Sequence, residues 1–271
     1  MTPRAAGSSP AASTRRFGAT AMAALLLAAA PCHAGPAAAR ARPADARVAR
    51  LADEYRDGLL ADRPDLASRL GDHRGDGRLE PVTQASLARE SARLRSLAGR
   101  LDSIPRASLA PAAALERDAL AARIAAARHE LEVARRWERD PAAYLDLAGD
   151  AIAALMKRGA GSTCARARAM VRRLERVPDV LRAARINLRE PPRALIEAAL
   201  PGYEDLLRFY RGGLPAFGDR CREPRTQADL AQADSTAVRS VEDFLDYLRV
   251  DLLPRATGAE PGPGVLPDSA R

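Results

Sequence analysis

The stretch 166–200, "RARAMVRRLERVPDVLRAARINLREPPRALIEAAL", decides the fold class. Met170, Leu174, Val177, Leu181, Ala184 and Leu188 recur at alternating steps of four and three residues. That spacing lays one apolar stripe along an α-helix, and it cannot build a half-buried strand, whose period is two. Pro178 falls inside the stripe. Its ring removes an amide donor and crowds the preceding turn, so a kink or a break into two helices is expected there. "EPPRALIEAAL" opens a further helical segment that runs on through "YEDLLRFYRGGLPAF", with a kink expected near Pro201.

The same period extends in both directions. Val48, Leu51, Tyr55 and Leu59 define a first helix from about Ala44, stopped by Pro64. The turn-rich "RPDLASRLGDHRGDGRLEP" follows, punctuated by Gly71, Gly75 and Gly77. A second helix is expected from about Pro81 to Leu101, with Leu87, Leu94, Leu97 and Leu101 on one side. A third is expected from about Pro111 to Glu138, on the stripe Leu120, Ile124, Ala127, Leu131 and Ala134. A shorter helix starts at Asp140 as cap and Pro141 in the first turn. It stops at Gly159 and Gly161, and Ser162 or Thr163 can cap its successor. Val241, Phe244, Leu245, Leu248 and Leu252 mark the last helix, ended by Pro254 and Gly258. Helices with one apolar face each and short connections imply an all-α fold, an antiparallel helical bundle with kinked helices.

Composition agrees. Aromatic residues are only 4% of the 271, so the core must be built from Leu, Ala, Val and Ile. The formal net charge is +8, but Lys157 is the only lysine and the arginines are interleaved with acids. A basic stripe with stacking aromatics is missing, so nucleic acid is not an expected partner. Nothing in the residues names another partner.

Arg4, Arg15 and Arg16 precede the apolar run "GATAMAALLLAAAP", which ends in "CHA". This is the layout of a signal peptide over 1–34, cut after Ala34, and the run is too short for a membrane span. Export to the periplasm or the exterior is the expectation. A lipoprotein anchored through Cys32 is the alternative. Removal of 1–34 takes away three arginines and no acid, leaving a net of +5. Residues 35–43 read as a linker, 44–255 as the helical domain and 256–271 as a disordered tail. Of the three cysteines, Cys164 and Cys221 then remain. In an oxidising compartment they can form a disulfide; two separate thiols are the other reading.

Metal and nucleophile motifs are sparse. "RHELEVARRW", residues 128–137, contains half of H-E-x-x-H, but Val133 stands where the second histidine is needed. At about 100° per residue, His129 faces away from Leu120. His73 sits in "GDHRGDG", which lacks the spacing of a calcium loop. No G-x-S-x-G occurs. Glu54, Glu116, Glu130 and Glu204 are scattered among arginines and read as solvated ion pairs. No catalytic or metal-ligating residue is assigned.

Three segments together resemble one family. "RPDLASRLGDHR", "WERDPAAYLDLAGDAIAALMKRG" and the opening stretch match, in order, elements of the domain of unknown function 885 family. The resemblance spans about Ala44 to Pro254. It implies a bacterial secreted protein or lipoprotein with a zincin-like, helical fold, similar to zinc-dependent peptidases. The family's metal motif, H-E-x-x-P-G-H-H, lies in the C-terminal half of longer members, and no such motif occurs here. The resemblance therefore implies the N-terminal helical half only, a truncated chain with no cofactor of its own and inactive alone. A stand-alone binding or scaffold module of the envelope is the alternative. In the longer members this half would form one wall of a cleft. Tyr144, Tyr203 and Tyr210 are candidates to line it, with bundle core as the competing reading. Half of a two-part fold would leave an apolar face open, so self-association is expected.

Overall fold

A computed structural model describes residues 42–189, 191–256 and 258. The signal peptide and most of the linker and tail assigned above lie outside the described residues. Every regular element among the described residues is helical, and no helix among them is long and apolar enough to cross a membrane.

Two apolar cores organise the chain. The first belongs to α1 (Pro43–Asp62), α3 (Gln84–Asp102) and α4 (Pro111–His129), which pack pairwise around Val48, Leu94, Leu97, Leu101, Leu120 and Ile124. The short α2 (Pro64–Arg69) sits between α1 and α3 in the chain. The second core is larger. It is built by α6 (Ala142–Ala148), α7 (Asp150–Arg158), α8 (Thr163–Leu174), α9 (Val177–Asn187), α10 (Arg193–Arg208) and α12 (Pro224–Asp246). The one-turn α5 (Arg136–Arg139) leads from the first core to the second, and α11 (Leu214–Gly218) leads into α12.

The 4-3-4-3-4 stripe is buried along its whole length: Met170, Leu174, Val177, Leu181, Ala184 and Leu188 are 0–5% exposed. It faces α12, the strongest partner of both α8 and α9. The chain divides at Glu175 and Arg176, and Pro178 occupies the first turn of α9, where its missing amide costs nothing. Ser162 caps α8, its Oγ accepting from the Ala165 amide at 3.2 Å. Pro201 sits inside α10, which stays helical from Arg193 to Arg208.

Several boundaries differ from those expected. Helix α3 starts at Gln84 rather than Pro81, because Thr83 Oγ1 accepts from the Ser86 amide at 3.2 Å and sets the cap. The expected single helix over 140–158 divides at Gly149 into α6 and α7. The helix expected to reach Glu138 loses its α geometry at Glu130. A π-helical turn, Glu130–Ala134, ends on Arg135 in the left-handed region at φ 50°. The Trp137 indole donates to the Leu131 carbonyl at 3.0 Å, satisfying an acceptor the ended helix leaves open. Similar π-helical turns finish α10 and α12, at Phe209–Gly213 and Tyr247–Leu252.

Candidate functional site: an acidic groove between the two cores

The turn-rich segment 63–83 follows α1 and is bonded to the second core by Arg173 and Asn187, and its polar residues form a network. Gly71 takes φ +91°, a conformation open to glycine, and lets the chain turn off α2. Asp72 then holds Arg74 through its amide at 3.1 Å and its guanidinium at 2.6 and 2.9 Å. That guanidinium pulls the Asp72 carboxyl down to about 2. Behind the turn, Ser68 Oγ lies 2.6 Å from Asp76 Oδ1 and 2.9 Å from the Pro64 carbonyl. His73 Nδ1 sits 3.1 Å from the other Asp76 oxygen.

Arg173 closes this network from the second core. It is fully buried, with Nη2 donating to Ser68 Oγ at 3.0 Å and Nη1 donating to the Ala151 carbonyl. Burial pulls its pKa down to about 10, while Asp76 and Asp65 push it back up. The guanidinium stays cationic at neutral pH and ties α8 to α2 and its turn.

Beside this anchor the surface opens. A cavity of about 740 Å³ lies on one side of residues 77–83, lined by α8, α9 and the end of α1. On the other side a groove of about 390 Å³ runs between the cores, and a smaller pocket of about 250 Å³ adjoins it. Asp62 and Glu80 line all three. The groove has an apolar lining that includes Leu59, Leu87, Leu94, Leu131 and Leu147.

Among the described residues that line it, carboxylates outnumber guanidiniums seven to three. Among the described residues Glu80 pairs with Arg63, whose Nε lies at 3.4 Å. Burial, reinforced by the charges of Asp65, Asp62 and Glu90, pushes Glu80 up to about 7 despite that arginine. The Asp62 carboxyl is raised by burial and then by its hydrogen bond to Glu90 and that residue's charge. Glu90 is also forked by Arg93 at 2.6 and 2.7 Å. Chemically, the groove offers one carboxyl, Glu80, that exchanges its proton near neutral pH, beside an apolar floor.

The residues singled out from the sequence fall elsewhere or at its margin. Tyr203 and Tyr210 do not stand on an open wall. Both are 0% exposed in the second core, their hydroxyls donating to the Pro141 and Ala148 carbonyls at 2.8 and 2.5 Å. Burial raises both hydroxyls well above the ordinary tyrosine range. Core packing wins because an aromatic whose hydroxyl finds a carbonyl can be buried whole. Tyr144 is 1% exposed, donates to the Trp137 carbonyl and accepts from Asn187 at 3.1 Å; only its edge borders the groove. His129, Glu130 and Val133 are exposed, and Glu130 borders the groove. Glu54 and Glu204 pair with Arg100 and Arg249 across helices rather than one turn away.

Cys164 and Cys221 are joined as a disulfide with Cα atoms 4.8 Å apart. With Glu223 they are the group of three ligand-type side chains that gather within 4.8 Å among the described residues. Sulfurs bonded to each other are not thiolates, and Glu223 is already held by Arg168 and Thr226.

Asp62, Glu80, Glu90 and Arg173 were invisible as a set to pattern reading, since they come from four separate places in the chain. Arg173 alone carried a signal: it lies three residues after Met170 and four before Val177, inside the apolar stripe.

No curated protein matches the chain. The family described as "Bacterial protein of unknown function (DUF885)" matches residues 64–269. A solved structure from Shewanella oneidensis, a candidate lipoprotein of unknown function, matches with a TM-score of 0.68 at 18% identity. The match covers 76% of this chain and 37% of that one, so this chain spans well under half of that relative's length. At such identity the likeness concerns the fold alone.

Proposed function

The chain belongs to the DUF885 family of bacterial proteins of unknown function, and from that premise we propose that it is an exported helical scaffold without hydrolytic activity of its own. In this reading it corresponds to the N-terminal half of longer, zinc-peptidase-like members and supplies one wall of their cleft. The observation that carries it is the overlay of this fold on 37% of a longer chain. The residues support it too. Three histidines occur, at positions 33, 73 and 129, and no H-E-x-x-H can be assembled from them.

Metal analysis and peptide hydrolysis of the purified chain, with and without added zinc, test this reading. The expected result is no stoichiometric zinc and no cleavage. Zinc-dependent cleavage by the chain alone would sink it. The second reading is a stand-alone envelope binding module, which the groove between the two cores would serve. Sequencing the DNA downstream in all three frames separates the two. An encoded H-E-x-x-P-G-H-H supports the scaffold of a peptidase, and none there supports the module.

Export rests on the signal-like segment, and the bonded cysteines fit an oxidising compartment. A mature chain starting at Gly35 is expected by N-terminal sequencing; a lipid-modified Cys32 would favour the lipoprotein alternative. Self-association belongs to the same proposal. Leu70, Leu115, Val133, Ile186 and Val250 are 61–71% exposed. A clean monomer by sedimentation velocity would count against it.

A further inference from the structure

We infer that the end of the second core where α8 and α12 begin is a docking face for an anionic lipid surface, held by contacts between guanidiniums and headgroup phosphates. It goes beyond the scaffold reading and is tested by vesicle binding, not by hydrolysis, so one can fail without the other.

The sequence supplies part of the charge and packing gathers the rest. Residues 220–225, "RCREPR", hold three arginines and one acid. The Cys164–Cys221 disulfide sets the first turn of α8 against this segment, with Cα atoms 4.8 Å apart. Arg168, one turn further along α8, takes Glu223, the acid of the six. Arg166 and Arg220 both lie over Phe217, at 5.3 and 5.6 Å from the ring centre. Arg166 also donates to the Met156 carbonyl at 2.7 Å, which brings the end of α7, with Lys157, to the same face. The face therefore sets Lys157, Arg166, Arg168, Arg220, Arg222 and Arg225 against Asp219, Glu223 and Asp229. Lys157, Arg220, Arg222 and Arg225 are exposed and pair with no carboxylate among the described residues. Neither α8 nor α12 has an acid in its first turn, so the positive ends of two helices add to the same field. Such an array repels itself and forms few ion pairs within the fold, so it is relieved by an anion from outside.

A lipid surface fits better than the other polyanions. Phe217 is 2% exposed beneath its two arginines, and segments 157–168 and 219–225 contain no aromatic residue that could stack on a base, so nucleic acid fits poorly. The exposed cations come from three segments and spread over a face, which suits many headgroups more than the few carboxylates of an acidic protein. Guanidiniums also match phosphate geometry through paired N–H donors. None of the exposed large apolar side chains among the described residues lies in these segments. The contact is therefore electrostatic, without insertion of side chains, and salt reverses it.

The test is co-sedimentation of the full chain with vesicles of equal parts phosphatidylglycerol and phosphatidylcholine, and with vesicles of phosphatidylcholine alone. The signal-like segment is shared by every variant and cancels in the comparison between them. Binding to the anionic vesicles is expected to be stronger than to the neutral ones by roughly tenfold or more, and to be lost at high salt. A basic side chain at such a surface is worth about fivefold in affinity, so the Arg222→Gln/Arg225→Gln double variant is expected to bind about 25-fold more weakly. Both side chains are exposed and unpaired, so its melting temperature is expected to stay unchanged. Arg50→Gln/Arg123→Gln removes the same charge from α1 and α4 of the first core and is expected to stay within about twofold of wild type. Equal loss in the two double variants would overturn the inference, because net charge rather than this face would then be at work. Equal binding to the two kinds of vesicle, or no binding to the anionic ones, would overturn it too. So would tighter binding to polyglutamate than to the vesicles at equal charge, which would assign the face to an acidic protein.

Discussion

Arg173 shows how much one side chain can carry in this fold. It is fully buried, and its partners belong to α2 and α7 rather than to its own helix. Arg173→Met keeps the length and removes the charge. Ser68 and the Ala151 carbonyl then lose their donor in a buried site and Asp76 loses a nearby positive charge, and breaking such a cluster costs about 3–5 kcal/mol. Urea unfolding should show that loss; a cost below about 1 kcal/mol, the range of a surface pair, would mean the cluster is not cohesive. Asp234 behaves oppositely. Burial raises its carboxyl from 3.8 to about 6, and its Oδ1 has no partner. Folding therefore disfavours its charged form. The penalty is absent below 3.8, grows as pH rises, and is complete above about 6. Asp234→Asn should raise the melting temperature at about pH 8 and leave it unchanged near 3.8. An equal change at both values would show that charge is not the cause.

At the scale of elements, helices were legible and their ends less so. The stripes on α8, α9 and α12 could be read because apolar spacing reports directly on which face is buried. The end of α4 could not. Leu131 and Ala134 continue its stripe, and the break coincides with contacts the stripe does not encode: Ser91 and Arg95 of α3 hold Glu132, and the Trp137 indole, six residues on, bonds the Leu131 carbonyl. Caps lie between these cases. Ser162 was one of two candidates, and the structure selects it. Ser162→Ala should lower stability by about 1 kcal/mol, the usual worth of such a cap, while Thr163→Ala should have a smaller effect. The reverse order in thermal melts would mean that Thr163 does the capping in solution. The groove was illegible for a related reason. Asp62 ends α1, Glu80 sits in the turn-rich segment and Glu90 lies on α3, so their meeting is a product of packing that no local period encodes.

Across the whole molecule, the two cores are joined by the segment 63–83 and by α5, both placed by polar contacts more than by apolar ones. The second core has a further brace. The disulfide between Cys164 and Cys221 ties the start of α8 to the turn before α12, across a sequence separation of 57. α8 carries the first part of the Met170–Leu188 stripe and α12 packs against it, so the bond and the stripe restrain the same pair of helices. Closing a loop of that length removes unfolded-chain entropy worth about 4 kcal/mol in the chain-entropy treatment. The Cys164→Ala/Cys221→Ala double variant should therefore unfold at lower temperature than the oxidised chain. Reduction of the wild type should lower it by a similar amount and leave the variant unmoved. The first core, α1, α3 and α4, shares no cysteine with the second. If hydrogen exchange accelerates in α8 and α12 on reduction while α1, α3 and α4 hold their protection, the two cores open separately, and the acidic groove lies along the line where they part. If all helices lose protection together, the Arg173 cluster binds the cores into one cooperative unit.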